Sequence, residues 1–405
     1  MQRDGPKSRD TETGERLLAH VANGTTDRTD AIRRVPVSHY LDEARWRREM
    51  DAIFRRLPLM LAFSSELAEP GAFRALDVVG APVLILRGRD GVARAFLNVC
   101  SHRGARLLAE ESGRCSRLVC PYHAWAYDDR GALVGIFKAS QFGELDKSTK
   151  GLAELPCEEV AGLIFVGLAR GTPLDVRGYL GGMLGELESL GLADWKLYDR
   201  RVLETANWKA TFDGYVDGYH LEVLHPKSVG RFTKGAVNTF EAFGPHQKIG
   251  FANQDIAKLR DRPSSEWLQD EGFGFVRTLF PSTSLAVTAG VGGLVSQLIP
   301  GPTPDRSRTI QSYVYRKLPE GDDERARLDA IVDMFYRAVR DEDSATVDAV
   351  QRGMESGALD EVVFGRNEVG NQRLHAWVGH YADGEPRPDE VASQCPASAT
   401  TRVGR

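Results

Sequence analysis

The spacing of apolar residues changes along the chain, and each change predicts a different kind of structure. Near the N-terminus, ERLLAHVANG and DEARWRREMDAIFRRL carry apolar residues at helical intervals. From about residue 60 to 165, short apolar runs alternate with turns that contain Gly and Asp, which predicts a small antiparallel β-domain. From about 170 to 385 helical and strand-like runs mix, with a helix expected from about 208 to 225.

These changes divide the chain into four parts and predict an α+β protein. Residues 1–40 form an N-terminal leader and helix, of which the first fifteen or so residues are polar and expected to be mobile. Residues 41–165 form the β-domain, and residues 166–385 form a larger mixed domain. The tail, 386–405, is rich in Pro, Ser, Ala and Thr and is expected to be disordered.

Composition excludes several classes of function. Hydrophobic residues make up 42% of the 405 residues and charged residues 27%, the balance of a globular protein. A net charge of -5 gives no positive field for nucleic acid or an anionic membrane. No apolar run approaches the ~20 residues of a membrane span, and the polar start has no signal-peptide core, so the cytoplasm is expected. Five cysteines, an odd number, argue against a disulfide framework.

The first chemical motif lies within the β-domain. Cys100-Ser101-His102 is followed by Cys120-Pro121-Tyr122-His123, so each of two segments offers one thiol and one imidazole. A [2Fe–2S] cluster in which two His replace two Cys on one iron needs this set of ligands. Tetrahedral zinc also accepts two Cys and two His, but zinc fingers usually pair the cysteines first and the histidines second. Cys115, Cys157 and Cys395 are interpreted as buried or loop thiols.

The second motif lies in NWKATFDGYVDGYHLEVLH. Asp217 and His220 are three residues apart, hence on one face of the predicted helix, and His225 follows near its end. Two imidazoles and one carboxylate make the facial triad of non-haem Fe(II) oxygenases, which leaves coordination positions open for O2. The spacing alone leaves open whether the carboxylate is local or distant in sequence.

Together, CSHRG, CPYHAW and the second motif resemble the catalytic alpha subunits of Rieske non-haem iron oxygenases, the aromatic-ring-hydroxylating dioxygenase family. The resemblance implies an antiparallel Rieske domain and a helix-grip (START-like) catalytic domain with a curved antiparallel sheet. Cys100, His102, Cys120 and His123 would hold the cluster. His220 and His225 would bind mononuclear Fe(II), and Asp217 would bridge an iron His to a cluster His of a neighbouring subunit.

The resemblance also implies a distant third iron ligand. The family has an Asp in a stretch like Glu-Asp-x7-Gln-Arg-Gly, and Glu342-Asp343 precedes Gln351-Arg352-Gly353 at that spacing. Asp343 is therefore the predicted ligand, with Glu342 and Asp341 as competitors. Asp213 matches a commonly acidic family position, and we assign it either a role in the electron route or a structural one.

The implied function is hydroxylation of an aromatic or other hydrophobic small molecule, by cis-dihydroxylation or monooxygenation. Electrons would come from NAD(P)H through a reductase or ferredoxin, because no dinucleotide-binding fingerprint is present. A homotrimer is implied, with or without a small beta subunit. Oxidative demethylation is the alternative within the family. An electron-transfer protein without oxygenase activity is the alternative from a different class, but it would not need the second motif.

Overall fold

A computed structural model of the chain describes residues 9–267 and 271–388. The first eight residues of the predicted leader and residues 389–405 of the predicted tail, with Cys395, lie outside the described residues. Within the described part, no helix is both long enough and apolar enough to cross a bilayer.

Helices occur along the whole chain. Two further helical segments, Met50–Phe54 and Ala338–Ser344, contain π-turns. The helices are α1 (Arg9–Asn23), α2 (Ser38–Leu41), α3 (Glu43–Glu49), α4 (Ala139–Phe142), α5 (Val176–Leu180), α6 (Met183–Leu190), α7 (Trp208–Tyr215), α8 (Leu221–Leu224), α9 (Asp322–Arg337), α10 (Ala345–Glu355) and α11 (Val369–Asp383).

The strands divide into two groups that follow the chain. A first group forms small sheets: β1 (Arg33–Pro36), β2 (Leu59–Phe63), β3 (Ala72–Val78), β4 (Ala81–Arg87), β5 (Ala93–Leu97), β6 (Ser112–Arg114), β7 (Leu118–Val119), β8 (Ala126–Tyr127), β9 (Leu133–Gly135), β10 (Glu154–Leu155), β11 (Cys157–Val160), β12 (Leu163–Val166) and the late β20 (Glu361–Phe364). A second group forms one large sheet: β13 (Lys196–Thr205), β14 (Thr233–Phe243), β15 (His246–Asn253), β16 (Phe273–Leu279), β17 (Thr283–Thr288), β18 (Gly292–Pro300) and β19 (Ser307–Tyr315).

The N-terminal β region consists of antiparallel sheets around two apolar cores. A five-stranded sheet has the order β10-β5-β4-β3-β6, and three-stranded sheets are formed by β11-β12-β2 and β7-β8-β9. One core includes Phe96, Trp125 and Tyr127 together with the buried thiols of Cys100 and Cys120. Burial of this aromatic surface fixes the two loops that carry the first motif.

The large sheet is antiparallel, with the order β13-β19-β18-β17-β16-β15-β14. On one face, α9 packs against it through Val332, next to Leu294 and Tyr313. On the other face, Val295 and Val314 join a core with α5, α6 and β12. At the second motif, Trp208 and Phe212 of α7 share a core with Phe54 and Ile85, so this helix packs against the β region as well as the sheet. The predicted α+β fold, with an antiparallel β-domain and a helix-backed antiparallel sheet, is confirmed.

The N-terminal helix begins earlier than predicted. We expected a mobile leader to about residue 15, but α1 starts at Arg9. The side chain of Asp10 accepts a hydrogen bond from the buried Lys248 amine at 2.5 Å and pairs with the buried Arg277 guanidinium. Unpaired buried charges are costly, so the two cations of the large sheet hold the start of α1 against it.

The helix predicted from 208 to 225 is broken. It ends at Tyr215, and a non-helical turn precedes α8. Asn207 caps α7 by accepting from the backbone N–H groups of Lys209 and Ala210. Gly214 and Gly218 flank the break, and glycine weakens a helix interior by about 1 kcal/mol relative to alanine.

The start of α7 depends on one buried ion pair. Glu49 accepts from the Lys209 amine at 2.5 Å and from the Trp208 indole N–H at 2.9 Å. All three side chains are buried. We expect Glu49→Gln to lower the free energy of unfolding by about 3–5 kcal/mol, because it leaves the Lys209 charge buried without a counterion. Urea unfolding would measure this loss, and Glu43→Gln, which breaks an exposed pair with Arg47, should change stability by less than about 1 kcal/mol.

Candidate metal centres

Two loops of the β region present the first motif in the same way. In each, the N–H four residues after the Cys donates to the carbonyl of that Cys: Gly104 to Cys100 at 3.0 Å, and Ala124 to Cys120 at 2.9 Å. Gly104 and Ala124 also share a positive φ, of 78° and 54°. Glycine adopts this conformation freely, whereas alanine is strained in it. The two segments are thus matching tight turns that bring a thiol and an imidazole to the same place.

The four side chains of these loops converge. The His102 and His123 ring centroids are 4.8 Å apart, and His102 stacks on Trp125 at 4.7 Å. Among the described residues, neither buried histidine Nδ1 has a hydrogen-bond partner, and neither thiol forms a disulfide. Burial, His123 and Arg103 lower the pKa of His102, which favours the neutral imidazole that binds metal.

Their spacing fits a two-iron cluster better than one zinc ion. A tetrahedral zinc would bring its donor atoms within about 4 Å of one another. In the described part of the chain, three or more donor atoms come within 4.8 Å only at His220, His225 and Asp343. Two thiolates on one iron and two imidazoles on another require the wider spacing, so the donor set fits a Rieske [2Fe–2S] cluster.

His220, His225 and Asp343 form the second centre. The Asp343 Oδ1 atom lies 3.0 Å from His225 Nε2 and 3.6 Å from His220 Nε2. All three ligand atoms fall within 4.8 Å of one another. Two imidazoles and one carboxylate on one side of a centre fit Fe(II) and leave its other positions open.

The remaining nitrogen of each imidazole faces a second carboxylate. Asp217 Oδ2 lies 2.9 Å from His220 Nδ1, and Glu342 Oε2 lies 2.5 Å from His225 Nδ1. Metal-binding imidazoles commonly donate their other N–H to a carboxylate, which fixes the ring and its tautomer. Burial lowers the pKa of His225, but Asp343 and Glu342 outweigh it and raise that pKa overall.

The three competing carboxylates differ in what they contact. Asp341 is half-exposed and pairs with Arg340, whereas Glu342 also accepts the Ser228 hydroxyl. Only Asp343 faces the Nε2 atoms of both histidines. All three lie in the π-turn Ala338–Ser344, a local widening of the helix that is frequent at functional sites. It lets Glu342 and Asp343, adjacent in sequence, reach opposite nitrogens of His225.

Asp213 lies on α7 and is held by three buried side chains. It accepts from the Tyr40 hydroxyl at 2.9 Å and from the Asn371 amide at 3.3 Å, and its Oδ1 lies 3.0 Å from His375 Nε2. Sequence reasoning left His375 unassigned, because α11 shows no motif. In contrast, His246 is a core residue: its ring bonds to the Tyr179 carbonyl and the Phe280 N–H, and burial lowers its pKa to about 4.

A row of polar residues crosses the helix-facing side of the large sheet. The cross-strand pairs Gln247–Thr278, Thr278–Ser284, Ser284–Ser296 and Ser296–Gln311 are in register, and all five residues are buried. No pattern in the sequence indicated this row. Alternate polar residues in one strand are ordinarily interpreted as its solvent face.

The polar row approaches the iron site through Tyr215. Burial raises the pKa of Tyr215 to about 12, with Asp343 adding to the shift and Ser296, Gln311 and Thr309 opposing it. These side chains lie next to one another, but Tyr215 Oη, Ser296 Oγ and Gln311 Nε2 find no partner of good hydrogen-bond geometry among the described residues. Buried polar atoms rarely lack partners, so these indicate a place for a polar ligand or water.

Comparison with known proteins agrees with both centres. Residues 58–150 match the Rieske [2Fe-2S] domain, and residues 192–384 match the family described as ring hydroxylating alpha subunit (catalytic domain). The carnitine monooxygenase oxygenase subunit of Acinetobacter baumannii is 31% identical over 329 residues, which cover 79% of this chain and 85% of that protein. The chlorobenzene dioxygenase subunit alpha of a Cupriavidus species is 31% identical over 218 residues, 47% of this chain and 48% of that protein.

Solved structures match over nearly the whole length. The quaternary ammonium Rieske monooxygenase CntA in complex with L-carnitine superimposes with a TM-score of 0.73 and 25% identity, over 86% of this chain and 95% of that chain. Naphthalene 1,2-dioxygenase superimposes with a TM-score of 0.70 at 21% identity, over 91% of this chain and 96% of that chain, a likeness of fold.

Proposed function

The chain belongs to the Rieske non-haem iron oxygenases, and we propose that it monooxygenates a small organic molecule that carries a polar or charged group. It is the oxygenase component, which uses O2 and electrons from a separate reductase, and it holds a Rieske [2Fe–2S] cluster and a mononuclear iron. The predicted family, oxygenase class and cofactors are confirmed. The observation that carries the substrate proposal is the polar row beside Tyr215.

We assign the cofactor ligands as follows. Cys100 and Cys120 hold one iron of the cluster, and His102 and His123 hold the other. His220, His225 and Asp343 hold the mononuclear iron. When bound, the cluster supplies one-electron transfer and the iron supplies activation of O2. The residues of the chain orient the ligand rings, through Asp217 and Glu342.

The buried polar side chains on the large sheet indicate the class of substrate. An unsubstituted hydrocarbon would offer no hydrogen-bond partner to the amide of Gln311 or to the hydroxyls of Ser296 and Tyr215, and a polar group left unpaired in the interior costs about 1–3 kcal/mol. A substrate with a carboxylate, hydroxyl or amide can satisfy them and present an apolar carbon to the iron. Relatives that act on carnitine and glycine betaine, both small and charged, support this proposal.

The proposed reaction consumes one O2, two electrons and two protons, and it forms one hydroxylated product and one water. If the oxidised carbon is a methyl on nitrogen or oxygen, the hydroxylated product releases formaldehyde, which is the predicted alternative of demethylation. Turnover under labelled O2 should place one labelled oxygen atom in the oxidised carbon group, on the product or the released aldehyde. Two labelled atoms on adjacent ring carbons would instead establish cis-dihydroxylation.

A matched pair of variants tests the polar row. Gln311 faces the helices and Gln297 faces the opposite side, where its amide donates to the Met60 carbonyl at 2.7 Å. We expect Gln311→Leu to raise KM for a polar substrate about tenfold or more, the loss of one buried hydrogen bond. Gln297→Leu should lower the melting temperature and leave KM unchanged. Equal KM values in both variants would contradict the proposal.

For assembly, we propose the head-to-tail homotrimer of the family, with a ferredoxin or reductase as electron donor and a cytoplasmic location. The support is a pair of exposed surfaces on one chain. Tyr122 and Phe137 beside the cluster loops are 57% and 63% exposed, and Tyr219 and Val223 beside the iron site are 61% and 84% exposed. Exposed apolar groups at both centres suit contact between the cluster side of one copy and the iron side of the next.

A further inference from the structure

A cavity lies behind α7, on the side of that helix that faces α10 and β20. It has a volume of about 250 Å³, and no described residue of the large sheet lines it, although Tyr215, which neighbours the polar row, does. Its walls are mostly apolar, for example Val347, Met354 and Phe364. One end is formed by Asp217, His220 and Asp343, which places the cavity directly beside the proposed iron ligands.

Two polar side chains interrupt the apolar walls of the cavity. Thr211 and Asn371 line it, and they are 8% and 2% exposed. Thr211 Oγ1 and Asn371 Oδ1 have no hydrogen-bond partner among the described residues. Since a water needs about 15 Å³ of such space and two or more polar partners, the cavity has room for several ordered waters.

Two acidic groups line the cavity without touching an iron ligand. Asp213 is held by Tyr40, His375 and Asn371, as described above. Glu368 lies before α11 and accepts the Gly365 backbone N–H. Burial, and then the charges of Asp217 and Asp213, raise the pKa of Glu368. Glu368 therefore keeps its proton to a higher pH than an exposed carboxyl does.

We propose that this cavity is the route by which protons reach the iron site, with Glu368 as the donor, water as the carrier and the Asp213–His375 pair as a reserve. The proposal rests on the proposed monooxygenation, which consumes two protons for each O2 and two electrons. Water in the cavity can pass a proton from Glu368 to the iron end, after which Glu368 regains one from solvent. The titratable groups that line the cavity with Glu368 are Tyr40 (α2), Asp213 and Tyr215 (α7), Asp217 and His220 (the turn before α8) and Asp343 (the π-turn). His375 (α11) lies behind them, in contact with Asp213.

The first test uses Glu368→Gln, with Glu361→Gln as its control, because Glu361 is a neighbouring carboxylate that pairs with Arg34 away from the cavity. In infrared difference spectra of the metal-free protein recorded over a pH titration, one protonated carboxyl C=O band should persist to a higher pH than the bands of exposed carboxyls, and Glu368→Gln should remove it whereas Glu361→Gln keeps it. In the loaded enzyme, Glu368→Gln should reduce product formed per NAD(P)H about tenfold or more, release peroxide instead, and enlarge the solvent isotope effect.

The second test fills the cavity with a side chain, so that water cannot occupy it. A Cβ on Gly214 would meet no atom within 4 Å, so Gly214→Leu can extend into the cavity. Gly214→Leu should reduce the product formed per NAD(P)H and release peroxide, as Glu368→Gln does, while the infrared band of Glu368 remains. The proposal is wrong if Glu368→Gln keeps full coupling and the band. It is also wrong if Gly214→Leu is fully coupled although a crystal structure shows the cavity filled. If the unmodified protein oxygenates no substrate at all, the proposed function is refuted instead.

Discussion

Replacing Asp343 with Ala is expected to abolish product formation and remove one iron per chain, while the Rieske spectrum stays intact. Asp343 is the carboxylate that faces Nε2 of both His220 and His225. Without it, two neutral imidazoles remain, and this pair is a weak site for a hard divalent metal. Iron analysis should fall from about three irons per chain to about two, because a [2Fe–2S] cluster plus one mononuclear iron becomes the cluster alone.

Two further variants distinguish the carboxylate that binds the iron from the carboxylate that only orients an iron-binding histidine. Glu342→Gln removes the charge behind His225 but keeps the ligand set, so we expect iron affinity to fall by about 10- to 100-fold rather than vanish. Asp341→Asn alters a half-exposed residue that pairs with Arg340 and should retain iron and activity. If Glu342→Ala loses the iron completely while Asp343→Ala keeps it, the assignment of these two neighbours must be exchanged.

The sequence predicted the two centres because their residue types are rare and closely spaced. Cys100-x-His102, Cys120-x-x-His123 and Asp217-x-x-His220 are each a few residues long, so local turns bring them together. The helix and strand classes were also predicted for most segments, since apolar periodicity is a local property. The predicted continuous helix through His225 was wrong, because the glycines beside Asp217 favour a turn that helical spacing does not reveal.

What sequence could not predict depends on contacts between distant segments. The polar row is formed by five strands, and its single members look like solvent-facing residues until the sheet is covered by helices. Likewise, the contact of Asp213 with Tyr40 and His375 joins α2, α7 and α11. Neither set has a spacing along the chain that could be recognised, because sheet register and helix packing alone define it.

Asp217→Asn is expected to leave both metal centres occupied and yet lower the rate of product formation by at least about a hundredfold. This loss is at the upper end of the effects seen when a residue that hydrogen-bonds a metal ligand is replaced. Asp217 has a side chain that is 15% exposed; one oxygen faces His220 Nδ1, and the other accepts the Tyr219 backbone N–H. In the proposed trimer, this exposed edge receives the N–H of a cluster histidine from the neighbouring chain. An amide presents fewer acceptors and no charge, so both imidazoles lose their common partner.

The measurement that isolates this role is the rate at which the reduced cluster is reoxidised when O2 and substrate are added. In Asp217→Asn that rate should fall together with product formation, whereas reduction of the cluster by its donor should remain normal. Glu188→Gln, an exposed substitution on α6, is the control and should match the unaltered protein in both phases. Normal reoxidation in Asp217→Asn, with iron retained, would show that the electron route between the two centres bypasses this carboxylate.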